Sequence, residues 1–183
     1  MKIAVFCSAN NNIDKLYFDK ARELGEWIGK NNETLVYGGC DLGLMEETAK
    51  AVRSNGGQVI GIVPTRVEKN GHTSKHLDIE IPCQDLNDRK ALMMVQSDVI
   101  IAMPGGLGTL DEIFTVAAAA TIGYTDKKVI LYNIDGFWDT LLVLLHEMEE
   151  KTFMREPSSA HLLNARSLEE IKQIIEESAD SLK

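Results

Sequence analysis

No apolar run in this 183-residue sequence approaches the length needed to span a membrane, so no transmembrane helix and no membrane partner are expected. The start has no signal-peptide pattern. Lys2–Cys7 reads at once as a strand, and a cytoplasmic location is expected. Cysteine is scarce: Cys7, Cys40 and Cys83 are odd in number and far apart, as free thiols in a reducing compartment would be. A Cys/His metal site needs close ligand pairs, and these cysteines, like His72, His76, His146 and His161, are scattered. No metal is therefore expected. Basic residues are outnumbered by acidic ones, giving a formal net charge of −9. This balance disfavours non-specific nucleic-acid binding. It leaves room for a small anion held by one arginine and a helix N-terminus.

Several catalytic signatures are also missing. The first strand leads into Ser8-Ala9-Asn10-Asn11-Asn12, which has no glycine, and the second strand ends in Tyr37-Gly38-Gly39 rather than in an acid. Both absences argue against a dinucleotide-dependent dehydrogenase. Gly108 is followed by Thr109, not by the Lys-Ser/Thr of a P-loop, and no Gly-x-Ser-x-Gly elbow occurs. Lys90 and Lys127-Lys128 stand in no recognisable cofactor-lysine context, and no cofactor is expected.

What is present is an alternation of strands and helices. Lys2–Cys7, Thr34–Tyr37, Val59–Val63, Leu77–Ile81, Val99–Met103 and Val129–Tyr132 read as strands. Between them lie a helix capped by Asp14, a helix over Leu44–Ser54, one over Leu86–Gln96, one from Thr109 and one over Phe137–Glu150. Ser167 caps a last helix. Thr65–Lys75 is polar and aperiodic, a loop that could act as a lid. There is no linker and no repeat, so residues 1–183 read as one α/β domain. Its expected form is a doubly wound, Rossmann-like parallel sheet with helices on both faces. Ligands of such sheets bind beyond the carboxyl ends of the strands, where Ser8, Gly38 and Gly39 fall.

The most informative stretch is Val99-Ile100-Ile101-Ala102-Met103-Pro104-Gly105-Gly106-Leu107-Gly108-Thr109-Leu110-Asp111-Glu112. A strand buried on both faces runs into a glycine-rich turn and then a helix. Gly105, Gly106 and Gly108 leave the backbone bare, and the helix start offers free N–H groups and partial positive charge, the makings of a phosphate site. The same residues admit a plainer reading. Thr109-Leu110-Asp111-Glu112 fits a capping box, in which Glu112 merely reaches back to Thr109.

Pro104-Gly105-Gly106-Leu107-Gly108-Thr109-Leu110-Asp111-Glu112 resembles the PGGxGTxxE motif of the LONELY GUY family. These are the cytokinin riboside 5′-monophosphate phosphoribohydrolases, often mislabelled lysine decarboxylases. Asp88-Arg89-Lys90-Ala91 with Met93-Met94 is similar to the family's second motif. Phe6-Cys7-Ser8, Tyr37-Gly38-Gly39, Gly43-Leu44-Met45 and Val59–Pro64 follow its order, and the resemblance covers Lys2 to Met154. It implies a homodimer that cleaves the N-glycosidic bond of a nucleoside 5′-monophosphate, AMP or a cytokinin riboside 5′-monophosphate. It implies Arg89 and Glu112 as the catalytic pair, with Gly105, Gly106, Gly108 and Thr109 on the phosphate. Lys90 and Asp111 join Ser8, Gly38 and Gly39 in the substrate-binding set.

The chemistry of that assignment is coherent. A carboxylate near the anomeric carbon can stabilise an oxocarbenium-like state or attack it. In a first helical turn Glu112 is expected to favour its charged form. Arg89 can hold phosphate or ribose through its planar fork. The chain departs from the family pattern at Cys40 and Glu46, where glycine is common. It also has an alanine run after Glu112, where many members carry tryptophan and threonine. These departures bear on the choice of base. A helix apolar almost all round, from Ile113 to Ile122, is expected to pack its second face on a symmetry mate. The alternative reading is a non-catalytic carrier of a nucleotide-like ligand, since relatives with this fold include a molybdenum-cofactor carrier.

Overall fold

The computed structural model describes residues 1–65 and 71–180. Among the described residues there are seven strands: β1 (Lys2–Phe6), β2 (Thr34–Tyr37), β3 (Gln58–Pro64), β4 (Ile79–Cys83), β5 (Val99–Ala102), β6 (Val129–Tyr132) and β7 (Leu162–Ala165). They form one parallel sheet in the order β4-β3-β2-β1-β5-β6-β7. The α-helices among the described residues are α1 (Lys15–Lys30), α2 (Gly43–Ser54), α3 (Leu86–Gln96), α4 (Leu107–Thr121), α5 (Asp139–Glu150) and α6 (Leu168–Asp180). The architecture is the doubly wound, Rossmann-like α/β sheet that the alternation predicts.

The apolar strand runs explain the layering, because a parallel sheet is buried on both faces. Ala21, Leu24 and Ile28 of α1, Leu44, Ala49 and Val52 of α2, and Leu168 and Ile171 of α6 close one core with Ile3, Val5 and Ile101. Met93 of α3, Ile113 and Val116 of α4, and Leu145 of α5 close the other with Ala4, Phe6 and Ile100. Each fully buried aliphatic side chain contributes about 1.5–3 kcal/mol relative to exposure. The stripes of α1 and α2 thus fix which way the loops at their ends face.

Differences from expectation are local. β4 lies two residues later than Leu77–Ile81 and takes in Pro82, which an edge strand tolerates because its outer side needs no ladder donor. β7 is an unexpected seventh strand, a short edge strand paired with β6. α5 begins at Asp139, not Phe137, because a 3-10 turn over Ile134–Gly136 with Asp135 at φ 52° intervenes. Asp14 and Ser167 do cap their helices, accepting from the N–H groups of Leu16 and Glu170.

The part of the expected lid loop that lies at 66–70 is outside the described residues. Residues 71–75 are pinned to the turn after β2. The Asp41 N–H donates to the His72 carbonyl (3.0 Å), the Ser74 N–H donates to the Gly39 carbonyl (2.9 Å), and Cys40 bridges Thr73.

The sheet reverses its winding between β1 and β5, its central neighbours. The crevice beyond their carboxyl ends is where such a sheet binds ligands. The Ser8 N–H donates to the Pro104 carbonyl (3.2 Å) and the Leu44 N–H to the Ser8 carbonyl (2.9 Å). The loop after β1 is thereby tied both to the β5 turn and to the start of α2.

Candidate active site at the strand switch point

The turn after β5 delivers the chain into α4 at Leu107, with Gly106 as N-cap and no side-chain cap. The first N–H groups of a helix have no intrahelical partners, so at α4 they stay open to a ligand. This overturns the capping-box reading. Thr109 lies inside the helix, and Glu112 is too far along it to reach back to a cap. The glycines differ in what they do. A Cβ on Gly105 would collide with the Thr109 hydroxyl at 2.1 Å, so Gly105 is bare to let buried Thr109 pack. A Cβ on Gly106 or Gly108 would meet nothing within 4 Å. Their bareness serves no internal contact and leaves the N–H groups accessible. Gly106→Val should therefore keep the melting temperature within a few degrees while weakening the binding of any phosphate-bearing ligand at this helix start, with AMP as the probe, at least about tenfold, because its branches would block the N–H groups. Calorimetric titration of the folded variant checks this; unchanged affinity would remove Gly106 from the site.

Glu112 lies in the second turn of α4, and only 2% of it is exposed. Arg89, from the first turn of α3, reaches it: Nη2 donates to Oε1 at 2.8 Å. Asp85 fixes the start of α3 by accepting from the Asn87 and Asp88 N–H groups (2.8 and 2.9 Å), which sets where Arg89 emerges. Arg89 Nε is buried without a protein partner among the described residues, and the Arg89 side chain also lines the cavity at this site. Next to this pair Lys90 Nζ donates to both Asp111 carboxylate oxygens at 2.7 Å. Two neighbouring ion pairs thus join α3 to α4.

The expectation that Glu112 favours its charged form is corrected. Burial is the dominant influence and raises its carboxyl to about 7, while Arg89 pulls it down and Asp111 adds to the rise. Outside the first turn the carboxylate loses the helix-dipole support that the sequence suggested. In the unfolded chain the group titrates in the ordinary carboxylate range, so between that range and about 7 the folded state holds more protons. Its contribution to stability is full in acid and is lost as pH rises through 7. Glu112→Gln should accordingly gain stability relative to the parent between pH 5 and pH 8, by on the order of 1–3 kcal/mol. Thermal denaturation of both proteins across that range is the check, and a pH-independent difference would contradict it.

One cavity of about 410 Å³ collects these groups. It is lined by Cys7, Ser8, Ala9, Asn10, Cys40, Met45, Arg89, Gly106, Gly108, Thr109 and Glu112. Of the residues singled out from the sequence, Ser8, Arg89, Gly106, Gly108, Thr109 and Glu112 are brought together there. Gly38, Gly39, Lys90, Gly105 and Asp111 do not line it. Gly38 sits behind Arg89, where a Cβ would come within 3.0 Å of Nη1. Cys7, Ala9, Asn10 and Met45 escape sequence reasoning as site residues, because nothing in their spacing links the β1 and β2 loops, and Cys40 stands out there only as a departure that bears on the base. The Cys7 thiol is pushed well up by burial and further by Glu112, which keeps it neutral. Among the described residues no group of three His, Cys, Asp or Glu side chains could hold a metal, and no helix is long and apolar enough to cross a membrane.

The chain matches a family model described as "Possible lysine decarboxylase" over residues 45–177. It is 38% identical over 162 residues to a rice protein named "Probable cytokinin riboside 5'-monophosphate phosphoribohydrolase LOGL2", a match covering 88% of this chain and 66% of the relative. It is 35% identical over 178 residues to the Arabidopsis thaliana protein named "Cytokinin riboside 5'-monophosphate phosphoribohydrolase LOG3", covering 97% and 83%. The chain thus spans about two thirds of the length of the rice relative and over four fifths of the Arabidopsis one. Among solved structures, TM1055 superposes with a TM-score of 0.75 at 26% identity, over 96% of this chain and 98% of that one. A molybdenum-cofactor carrier protein from Chlamydomonas reinhardtii superposes with a TM-score of 0.73 at 22% identity, over 98% of both, a likeness of fold alone. With most of its length matched by the family model and by relatives so named, this chain belongs to the LONELY GUY family, whose members are also grouped under the label of possible lysine decarboxylases.

Proposed function

We propose that this protein is an enzyme that hydrolyses the N-glycosidic bond of a nucleoside 5′-monophosphate, AMP or a cytokinin riboside 5′-monophosphate, to free base and ribose 5-phosphate. One observation carries the reading: a buried Arg89–Glu112 pair and an uncapped helix start open on the same cavity. The 5′-phosphate takes the N–H groups around Gly106, Gly108 and Thr109. The ionised Glu112 carboxylate stabilises the oxocarbenium-like ribose and accepts the proton of the water whose oxygen bonds to the anomeric carbon. The base leaves with the electron pair of the broken bond and takes a proton from solvent, while Glu112 returns the proton it took from the water to solvent, so that one water is consumed overall. Arg89 draws the Glu112 carboxyl back toward its ionised form and orients it through the Nη2–Oε1 bond, and its guanidinium on the cavity wall holds the ribose hydroxyls. The names of the plant relatives support the same reaction class.

Incubation with AMP, followed by chromatography, tests the reading. Adenine and ribose 5-phosphate should appear in equal amounts. AMP bound but left intact would replace the enzyme with a nucleotide carrier.

The functional unit we propose is a homodimer. α4 presents Phe114 and Ala118 to the outside, and with Met148 and Met154 they line an apolar cavity of about 260 Å³. Ile122 and Phe153, 64% and 78% exposed, continue the patch. Exposed apolar surface of this kind marks an interaction site, and the small alanines of α4 let a second helix approach closely. Light scattering at micromolar concentration should give twice the chain mass; a stable monomer would remove the claim.

A further inference from the structure

Besides Cys7, Ser8, Ala9 and Asn10 from the end of β1 and the loop after it, the lining of the switch-point cavity holds three chemically distinct groups of residues. Gly106, Gly108 and Thr109 supply backbone N–H groups, Arg89 and Glu112 supply the charges, and Cys40 and Met45 supply two sulfur atoms. A mononucleotide also has three parts. With the phosphate on the first and the anomeric carbon at the second, the third offers the apolar, polarizable contact that an aromatic base takes. We propose that Cys40, with Met45 beside it, is the wall on which the base lies, and that the Cys40 side chain limits which substituents the base may carry. The proposal rests on the nucleotide reading given above.

Three observations support it. The wall is rigid. Gly39 is held at φ +71°, and a Cβ there would strike Val63 Cγ2 at 2.5 Å. Residues on both sides of Cys40 are bonded to 72–74, so the turn cannot swing away from a ligand. The wall is also in register with the chemistry, since Gly38, two residues before Cys40, lies so near the Arg89 guanidinium that a Cβ there would come to 3.0 Å from Nη1. Finally, burial raises the Cys40 thiol above its usual range. It is therefore a neutral, polarizable group, which suits contact with an aromatic ring and not covalent attack.

The test uses the full chain carrying Glu112→Gln, which holds AMP uncleaved. N-ethylmaleimide labelling of Cys40, followed by mass spectrometry, is measured with saturating AMP and with saturating ribose 5-phosphate. AMP should slow labelling at least about tenfold; ribose 5-phosphate, which lacks a base, should slow it less than about twofold. Equal protection by both, or none from AMP shown by calorimetry to be bound, would overturn the assignment. A second measurement does not depend on labelling. Cys40→Gly should raise the kcat/KM ratio of N6-isopentenyl-AMP to AMP about tenfold, the scale of discrimination that one small group provides in a pocket. An unchanged ratio would also overturn it. If AMP neither binds nor is cleaved, the nucleotide reading itself fails, and this proposal falls with it.

Discussion

Glu112→Gln is expected to leave the fold and AMP binding intact while lowering turnover by roughly 10³-fold or more, the scale seen when a charge used only in the transition state is removed. That factor corresponds to about 4 kcal/mol in the barrier. Glutamine matches glutamate in shape and can still accept from Arg89 Nη2, so the contact between α3 and α4 survives. What it lacks is the negative charge beside the developing positive charge on the ribose. The pH dependence follows from the same group. With Glu112 raised to about 7 by burial, its ionised fraction falls in acid, and the parent enzyme's kcat/KM should drop tenfold per pH unit well below 7. Chromatographic assay of adenine release by both proteins from pH 5 to 9 checks both points. Near-normal turnover in the folded Gln variant would remove Glu112 from the chemistry.

How far the sequence discloses this site differs from residue to residue. The apolar run Val99–Met103, its glycine turn and the following helix are legible because local chemistry dictates them. Buried parallel strands are apolar throughout, and bare backbone precedes the helix. The helix start is less legible. Thr109 is a good capping residue by type, but its side chain is buried against Gly105, and α4 begins two residues earlier. That shift moves Glu112 out of the first turn and into the interior, so burial and not the helix dipole sets its titration. The meeting of Arg89 and Glu112, on helices either side of β5, is not a matter of spacing, and only the family motifs signal it. Cys40 and Met45 come to the cavity because Asn11 Oδ1 accepts from the Gly43 N–H (2.8 Å), joining the β1 loop to the start of α2. No local pattern in either segment announces that contact. β7 hides for a similar reason, being four residues of edge strand whose partner lies far away in the chain.

The second large effect concerns the phosphate. If the α4 start binds the 5′-phosphate, the contact is remote from the bond that breaks. Remote binding energy can still position the ribose against Glu112, so its loss lowers turnover as well as affinity. Free adenosine carries the same base, ribose and scissile bond as AMP but nothing for the N–H groups around Gly106 and Gly108. Inorganic phosphate and ribose 5-phosphate should compete with AMP. The central claim is therefore tested most directly by the kcat/KM for AMP against that for adenosine, measured side by side on the same preparation. The account predicts a preference for AMP of at least about 10³-fold, equivalent to some 4 kcal/mol of phosphate binding used in the transition state. Cleavage of the two with similar efficiency would contradict it.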